Sequence, residues 1–453
     1  MSAARRSVII FVAGLVASGL VGLGVYFSGH RASVASHTTV AATDSPKPPS
    51  PGATAAGTSG RKTASKAVAS AGADAAGHTY YVDCSAGNDS NSGTSPSAAW
   101  KTLPKVSSTT FAAGASVLLK RGCTFNGGLG LNGSGTAAAP ITLAAYGSGA
   151  APVVQGGSND VFTAGPYQVV QDLLLTDASH YGVQITGAND TVQDTEISDS
   201  GGGVLVDAPG ARMLHDNVQD LKLILNTPGD AYGAVGYVIE SANDEIAYSM
   251  CTDCEAPSDE FGTEGGFAEV WDSGDNLYVH DNMAVNTSGF FQADGDSQGT
   301  HADNLRIAYN VLVNTGRAVL LETALPATAS FDNNTFYDTA TTSAPVVSAP
   351  SGELAIRNNI FDTSVMKMID TGTGYGVPDV HTGNLYDLAE GVNLTLGTSE
   401  KTGNPLFVAA GSNFALQSDS PAINLGTADG YSTADYNGAS VPASGPVNAG
   451  AFQ

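Results

Sequence analysis

The residues best able to do chemistry in this chain are acids. Glu240, Glu269, Asp272, Asp294 and Asp296 crowd into the stretch between Asp230 and Glu322, with the rings of Trp271 and Phe291 among them. Hydrolysis of a sugar chain needs two carboxyl groups about one glycosidic bond. One stays protonated for the leaving oxygen and the other serves as nucleophile or base, about 5–5.5 Å away for retention and about 6.5–9.5 Å for inversion. Glu240, Glu269, Asp272 and Asp294 are therefore the candidate catalytic residues, with Trp271 or Phe291 as the ring that stacks on a sugar. Each acid taken singly is equally well explained as part of a solvated acidic surface.

Elimination is the competing chemistry. A calcium ion would acidify the sugar's α-proton, and Arg317, in Asn314-Thr-Gly-Arg317, or Lys222 would act as the base. Asp294-Gly-Asp296-Ser-Gln298-Gly299 is similar to the opening of a calcium loop, which makes Asp294 and Asp296 candidate metal ligands. Leu305 stands where an EF-hand needs its twelfth-position Glu, so an EF-hand is excluded. Both basic residues read equally well as salt-bridge partners.

A repeat must position these groups. Seven segments superpose, with Glu196, Asn217, Met250, Asn282, Asn310, Asn334 and Asn359 at the register position, at intervals of 21, 33, 32, 28, 24 and 25 residues. An imperfect period of this size signals a solenoid, whose length grows by adding coils, so 453 residues fit one long domain. With 55 glycines and only 13 % charged residues, strands and turns must dominate. Runs such as Tyr181 to Asp190 and Gly203 to Gly210 alternate apolar residues with turn residues, so successive coils stack as parallel sheets about 4.7–4.9 Å apart. The asparagines suit left-handed turns and can hydrogen-bond along the stack, while Val218, Val311, Phe336 and Phe361 fill the interior. His215 and His280, each two residues before a register Asn, take one structural repeat position.

Aligning Gly203, Gly236 and Gly265 places Asp207, Glu240 and Glu269 at one outward position of three successive coils, with Gln292 next. A one-residue slip would turn Glu269 inward. Stacked carboxylates repel, so one should have a raised pKa or the row should hold a cation. The widest intervals, 33, 32 and 28 residues, fall where the acids lie. Extra loop length beside a rigid sheet makes a cleft, and Cys251 to Gly266 alone carries Asp253, Glu255, Asp259, Glu260 and Glu264.

The chain ends differ from this pattern. Arg5-Arg6 precede twenty uncharged residues, Val8 to Phe27, long enough to span a bilayer, so residues 1–27 read as a signal-anchor or transmembrane helix; Ala32 to Ala35 offers a cleavage site as the alternative. Residues 28–78, rich in Ala, Ser, Thr and Pro, form a disordered linker, and 79–453 form the solenoid domain. From 79 onward the chain has 11 basic and 41 acidic residues, a formal charge of −30. Such a surface repels nucleic acid and anionic lipid, which leaves the N-terminal helix as the membrane contact. The cysteines, Cys84, Cys123, Cys251 and Cys254, are all in the exported part and even in number, which suggests disulfides. Cys84 with Cys123 would staple the start of the solenoid. Cys251-Thr-Asp-Cys254 reads as a loop disulfide, since neither zinc nor thioredoxin chemistry finds its context.

Three segments carry a family resemblance. Tyr80 to Thr94 with Trp100-Lys-Thr-Leu103, and Gly114 to Phe125, are similar to the N-terminal cap of right-handed parallel β-helix proteins of the pectate-lyase-like superfamily. Gly403-Asn-Pro-Leu-Phe407 with Phe414 to Asn424 resembles their closing segment. The resemblance covers most of 79–453 and implies an all-β, right-handed parallel β-helix whose partner is a polysaccharide or cell-wall glycan. The chain departs from the family's reaction motifs. It has no Asp-Asp dipeptide and no Gly-His-Gly, as in polygalacturonases, and no Arg-x-Pro-x-x-Arg, as in one pectate lyase family. The expectation is an extracellular glycoside hydrolase, tethered or secreted, ahead of a calcium-dependent lyase. A non-catalytic glycan-binding or adhesion solenoid is the rival from another class.

Overall fold

The computed structural model describes residues 77–271, 273–294, 301–322, 327–338, 344–364, 367–389 and 391–453. The expected transmembrane helix, nearly all of the linker, Asp272 and Asp296 lie outside the described residues. Among those described, no helix is long and apolar enough to cross a membrane.

Each coil visits three parallel sheets in turn, as in Gln168–Gln171, Leu174–Thr176 and Tyr181–Ile185, before the next coil opens at Thr191–Gln193. The three sheets hold 12, 12 and 10 strands in the described residues. Alternation along each strand sends one side chain in two to a common core. Val192, Met213, Ile246 and Val279 enter it from the first sheet, Ile197, Val218, Cys251 and Ala284 from the second, and Val204, Tyr237, Ala268 and Phe291 from the third. Side chains on facing sheets trade volume. Gly236 lies so close to the second sheet that a Cβ would come within 2.7 Å of the Cys251 sulfur. One coil later the second sheet offers only Ala284, and Phe267 and Phe290, stacked at 4.7 Å, fill the column instead.

The corner between the first and second sheets takes two residues. The first is left-handed, with φ between 49° and 60° at Asp172, Asp194, His215, Tyr248, Asp281, Tyr309, Asn333 and Asn358. The second points inward and accepts the backbone N–H of the equivalent residue one coil earlier. Thr195, Asp216, Ser249, Asn282, Asn310, Asn334, Asn359 and Asn384 are joined in this way by bonds of 2.8–3.1 Å. From Asn282 onward the side-chain amides also donate to one another. Glu400 ends the ladder by accepting from Asn384 Nδ2 at 2.8 Å.

This geometry corrects the repeat alignment. Glu196, Asn217 and Met250 pair with Met283 rather than Asn282, so the early coils place Thr195, Asp216 and Ser249 on the ladder and the true intervals open 21, 33, 33. Asp or Ser in place of Asn hid the rung, because any inward acceptor satisfies the same N–H. His215 and His280 are consequently not equivalent: His215 is a corner residue, whereas His280 ends a strand of the first sheet beside Ala247 and Ala308. Val311 faces outward, under a C-terminal segment that lays Phe407, Phe414 and Ala449 across the second sheet.

Two closures complete the domain. Tyr80 stacked on Trp100 at 4.8 Å, with Leu103 and Val106, covers the open end of the core, and the expected Cys84–Cys123 disulfide ties this cap to the first coil. The two 33-residue coils each spend their extra length on an antiparallel hairpin before the third sheet, Leu223–Thr227 with Asp230–Gly233 and Ala256–Ser258 with Gly262–Glu264. The Cys251–Cys254 disulfide closes the corner from which the second hairpin leaves.

Replacing Asn310 with Ala strands the Asn282 N–H and the Val279 carbonyl in the core. The loss should be about 2–4 kcal/mol, seen as a lower denaturant midpoint. Asn286→Gly, at an exposed left-handed corner, should cost under about 1 kcal/mol.

Candidate functional site

The outward rows of the third sheet gather the acids. Register pairing places Val238, Glu269, Gln292 and Leu320 in one row. Asp207, Glu240, Trp271, Asp294 and Glu322 follow in the row two residues further on. Glu269 is thus not stacked on Glu240 as the glycine alignment has it. The alignment is off by two residues, because Phe267 rather than Gly265 matches Gly236, and an even slip keeps Glu269 on the outer face. Its neighbour Gln292 is as expected.

The corrected register makes a specific figure. Glu269 lies one strand from Glu240 on one side and one strand from Asp294 on the other, two residues back along the sheet from each, with Trp271 between the two. Strand spacing and rise make each diagonal about 8 Å between backbones, and Glu240 to Asp294 about 10 Å. Tyr181, Val235, Val238 and Trp271 form an apolar patch on this outer face, joined by Leu205, Ile224 and Tyr232. Ile224 and Tyr232 come from the first hairpin. The second hairpin braces the first, since Glu260 accepts the Ala231 N–H at 3.0 Å and Asn226 accepts that of Asp259 at 2.8 Å. It also delivers Glu264, fully buried, into the field of Glu269.

Burial dominates the electrostatics. Glu269 is 1 % exposed, and neither carboxyl oxygen has a hydrogen-bond partner among the described residues. Desolvation therefore holds its pKa well above the ordinary glutamate range, and the charges of Asp294, Glu264 and Glu240 push it further. Burial also raises Glu264, to about 8, with the Ser258 hydroxyl opposing and Glu260 adding to the rise. Tyr181 is pushed up by burial and then by Glu269, Glu240, Tyr232 and Asp207, so its phenol keeps its proton as a donor. The rise at Glu269 therefore comes first from burial and not from a stacked row of carboxylates, since Val238 rather than Glu240 is its register neighbour.

Other candidates fall elsewhere. Phe291 is not a stacking surface; its ring is fully buried in the core, facing inward with Ala268 and Val319 as register neighbours. Arg317 is buried further along the same face, where Asp370, Tyr375 and Glu322 surround it and Tyr375 donates to Glu322 at 2.8 Å. Lys222 lies 3.3 Å from Asp199, as a salt-bridge partner. Asp207 is exposed and accepts from Gln184 at 2.7 Å. Among the described residues, the carboxylates and histidines close enough to share an ion are Asp275, His301 and Asp303, on the surface, and Asp294 is not with them. Those donors do not make a calcium centre of the Glu269 face. Sequence reasoning passed over Tyr181 and Tyr232. A signal for Tyr181 was present in Gly202, the next coil's partner, where a Cβ would come within 2.7 Å of the ring; Tyr232 lies in an insertion with no repeat to mark it.

The chain has the parallel β-helix fold of the pectate-lyase-like proteins. It is similar in structure to pectate lyase Pel9A, with a TM-score of 0.59 at 18 % identity, over 83 % of this chain and 96 % of that one. XylC in complex with xylose gives 0.54 at 11 % identity, over 71 % and 77 %. In sequence, a stretch of 75 residues is 47 % identical to a lacto-N-biosidase of Bifidobacterium longum subsp. longum; it amounts to 16 % of this chain and 5 % of that protein. No known family profile matches the chain.

Glu264 supplies a test of the electrostatics. Its pKa rises from about 4.5 to about 8 on folding, so the folded chain retains a proton the unfolded chain releases. The stability this contributes is full below about pH 4.5 and is lost as pH rises through about 8. By scanning calorimetry, the Tm of the native chain relative to Glu264→Gln should decline across that window, and a flat difference would contradict the assignment.

Proposed function

We propose that this chain is an exported carbohydrate-active enzyme that hydrolyses a polysaccharide on the outer face of the third sheet. The carrying observation is Glu269, a buried carboxyl between two acids of the next outward row, whose pKa burial pushes well above the ordinary glutamate range. A protonated carboxylic acid at neutral pH is what protonation of a leaving glycosidic oxygen requires. Glu240 is half-buried, so water can reach it, and it acts as the base. Asp294, 7 % exposed, is the largest of the charges that, after burial, raise the Glu269 pKa. Glu240 and Glu269 leave adjacent strands with backbones about 8 Å apart, so both side chains reach a single glycosidic bond.

Trp271, between the two acids and 7 % exposed, packs with Tyr181, Val235 and Val238 as the apolar bed of this face, and its residual edge is what a sugar would meet. A face with this many acids disfavours a polyanionic substrate, so the bond cleaved belongs to a neutral sugar. The local likeness to a lacto-N-biosidase supports a glycan as the partner class. The export signal read in residues 1–27 would carry the domain to such substrates outside the cell.

A screen of neutral glycans, followed by reducing-end release and by ultraviolet absorbance, separates hydrolysis from elimination. Glu269→Gln and Glu240→Gln should each lower kcat by about 10²–10⁴-fold with little change in KM, whereas Trp271→Ala should mainly raise KM. Proton NMR of the first product distinguishes inversion from retention at the cleaved bond. Unsaturated products, or full turnover by Glu269→Gln, would overturn the reading.

A further inference from the structure

A groove of about 600 Å³ lies on a different face of the solenoid, between the first sheet and the C-terminal strap. The strap crosses the sheet near Ala308 and Tyr309 and is pinned where Asn358 exchanges hydrogen bonds with Thr427. Arg306, Ser330, Asp332 and Arg357 form the floor of the groove, and Asp429 and Tyr431 stand on its wall. In a domain with so large an acidic excess, two arginines in one groove are unusual.

Neither guanidinium is fully engaged by its acid. Arg306 stands 4.0 Å from the nearest oxygen of Asp429, and that carboxylate already accepts the Tyr431 and Ser432 N–H groups and the Ser432 hydroxyl. The Arg306 guanidinium lies 4.6 Å from the Tyr278 ring centre and 4.8 Å from that of Tyr431, which leaves its donors in demand of an acceptor. Arg357 reaches Asp332 only through long contacts of 3.3 and 3.4 Å. Tyr431, at 74 % exposure, is the most exposed large apolar side chain described. Its turn is held by Asp429 against the arginine, so the exposure is built rather than frayed.

We propose that this groove is a second, non-catalytic glycan site that takes a uronic-acid oligosaccharide, with one carboxylate on Arg306, another on Arg357 and a sugar ring against Tyr431. Arg306 and Arg357 lie two coils apart, about 10 Å along the axis, so they engage carboxylates on different sugars of one oligosaccharide. Asp332, whose pKa burial raises to about 6, loses negative charge in mildly acid conditions and strengthens the site there. The site goes beyond hydrolysis at Glu269: it would hold an acidic wall polymer while the other face works on neutral chains.

Isothermal titration with a uronate oligosaccharide, its carboxyl-reduced neutral form and inorganic phosphate tests the proposal on the full chain. The uronate should bind, at least about tenfold more tightly than either comparator. Tyr431→Ala and Arg357→Gln should each weaken it by about tenfold, and Glu269→Gln should leave it unchanged. Equal binding of the neutral form, equal binding of phosphate, or undiminished binding by both groove variants would each overturn the proposal. Because the readout is binding, its failure is distinguishable from failure of the hydrolase reading.

Discussion

A two-residue corner leaves a backbone N–H facing the interior of the solenoid, where no water can satisfy it. The chain answers with a side-chain acceptor from the following coil, from Asp216 through to Asn384, whose own amide Glu400 then accepts. Each rung holds the next coil in register, because an acceptor displaced by one residue would point outward and strand the donor. Eight successive coils are thereby locked at one corner, and the strands leaving that corner inherit its phase. Every outward row on every sheet depends on this buried chain of hydrogen bonds.

A rigid corner on one side permits variation on the others. The first-to-second-sheet turn stays at two residues, while the approach to the third sheet absorbs both hairpins without breaking the ladder, whose intervals merely stretch to 33. Insertions therefore accumulate beside the third sheet, and the groups requiring unusual surroundings are found there. Tyr232 and Glu264 arrive on the hairpins; Glu269, Trp271 and Asp294 arrive on the strands. The strand registry sets their spacing and the hairpins contribute the desolvation. Both are needed, since an exposed glutamate at the Glu269 position would ionise and an unaligned one would not face its partner acids.

The acidic surplus of the domain is distributed with the same economy. Glu264 and Glu269 are buried, and burial rather than a neighbouring charge is the first cause of their raised pKa. On the first sheet the arrangement is reversed: Arg306 and Arg357 are partly exposed and set against aromatic and acidic neighbours. The same solenoid thus presents a proton-holding face and an anion-seeking face, each built from residues that alternate out of strands whose other half fills the core.

Much of this was legible in the order of residues. Period, strand alternation and the left-handed preference of Asn gave away the solenoid and the stretch in which the coils lengthen, because each is a local property that repeats, and the even cysteine count of the part read as exported gave both disulfides. The acids and Trp271 could be named for the same reason. Their arrangement could not. Asp216 and Ser249 do the work of Asn on the ladder, so the alignment slipped by one residue there; Phe267 replaces a glycine in a column where Ala284 makes room, so it slipped by two beneath Glu269. Phe291, aromatic and among acids, turned out to fill the core. Sequence determines which residues are available and how often the chain turns. Which of them share a face, and which lose their water and keep their protons, is decided only when neighbouring coils pack, because desolvation and register are properties of contacts between segments some 30 residues apart.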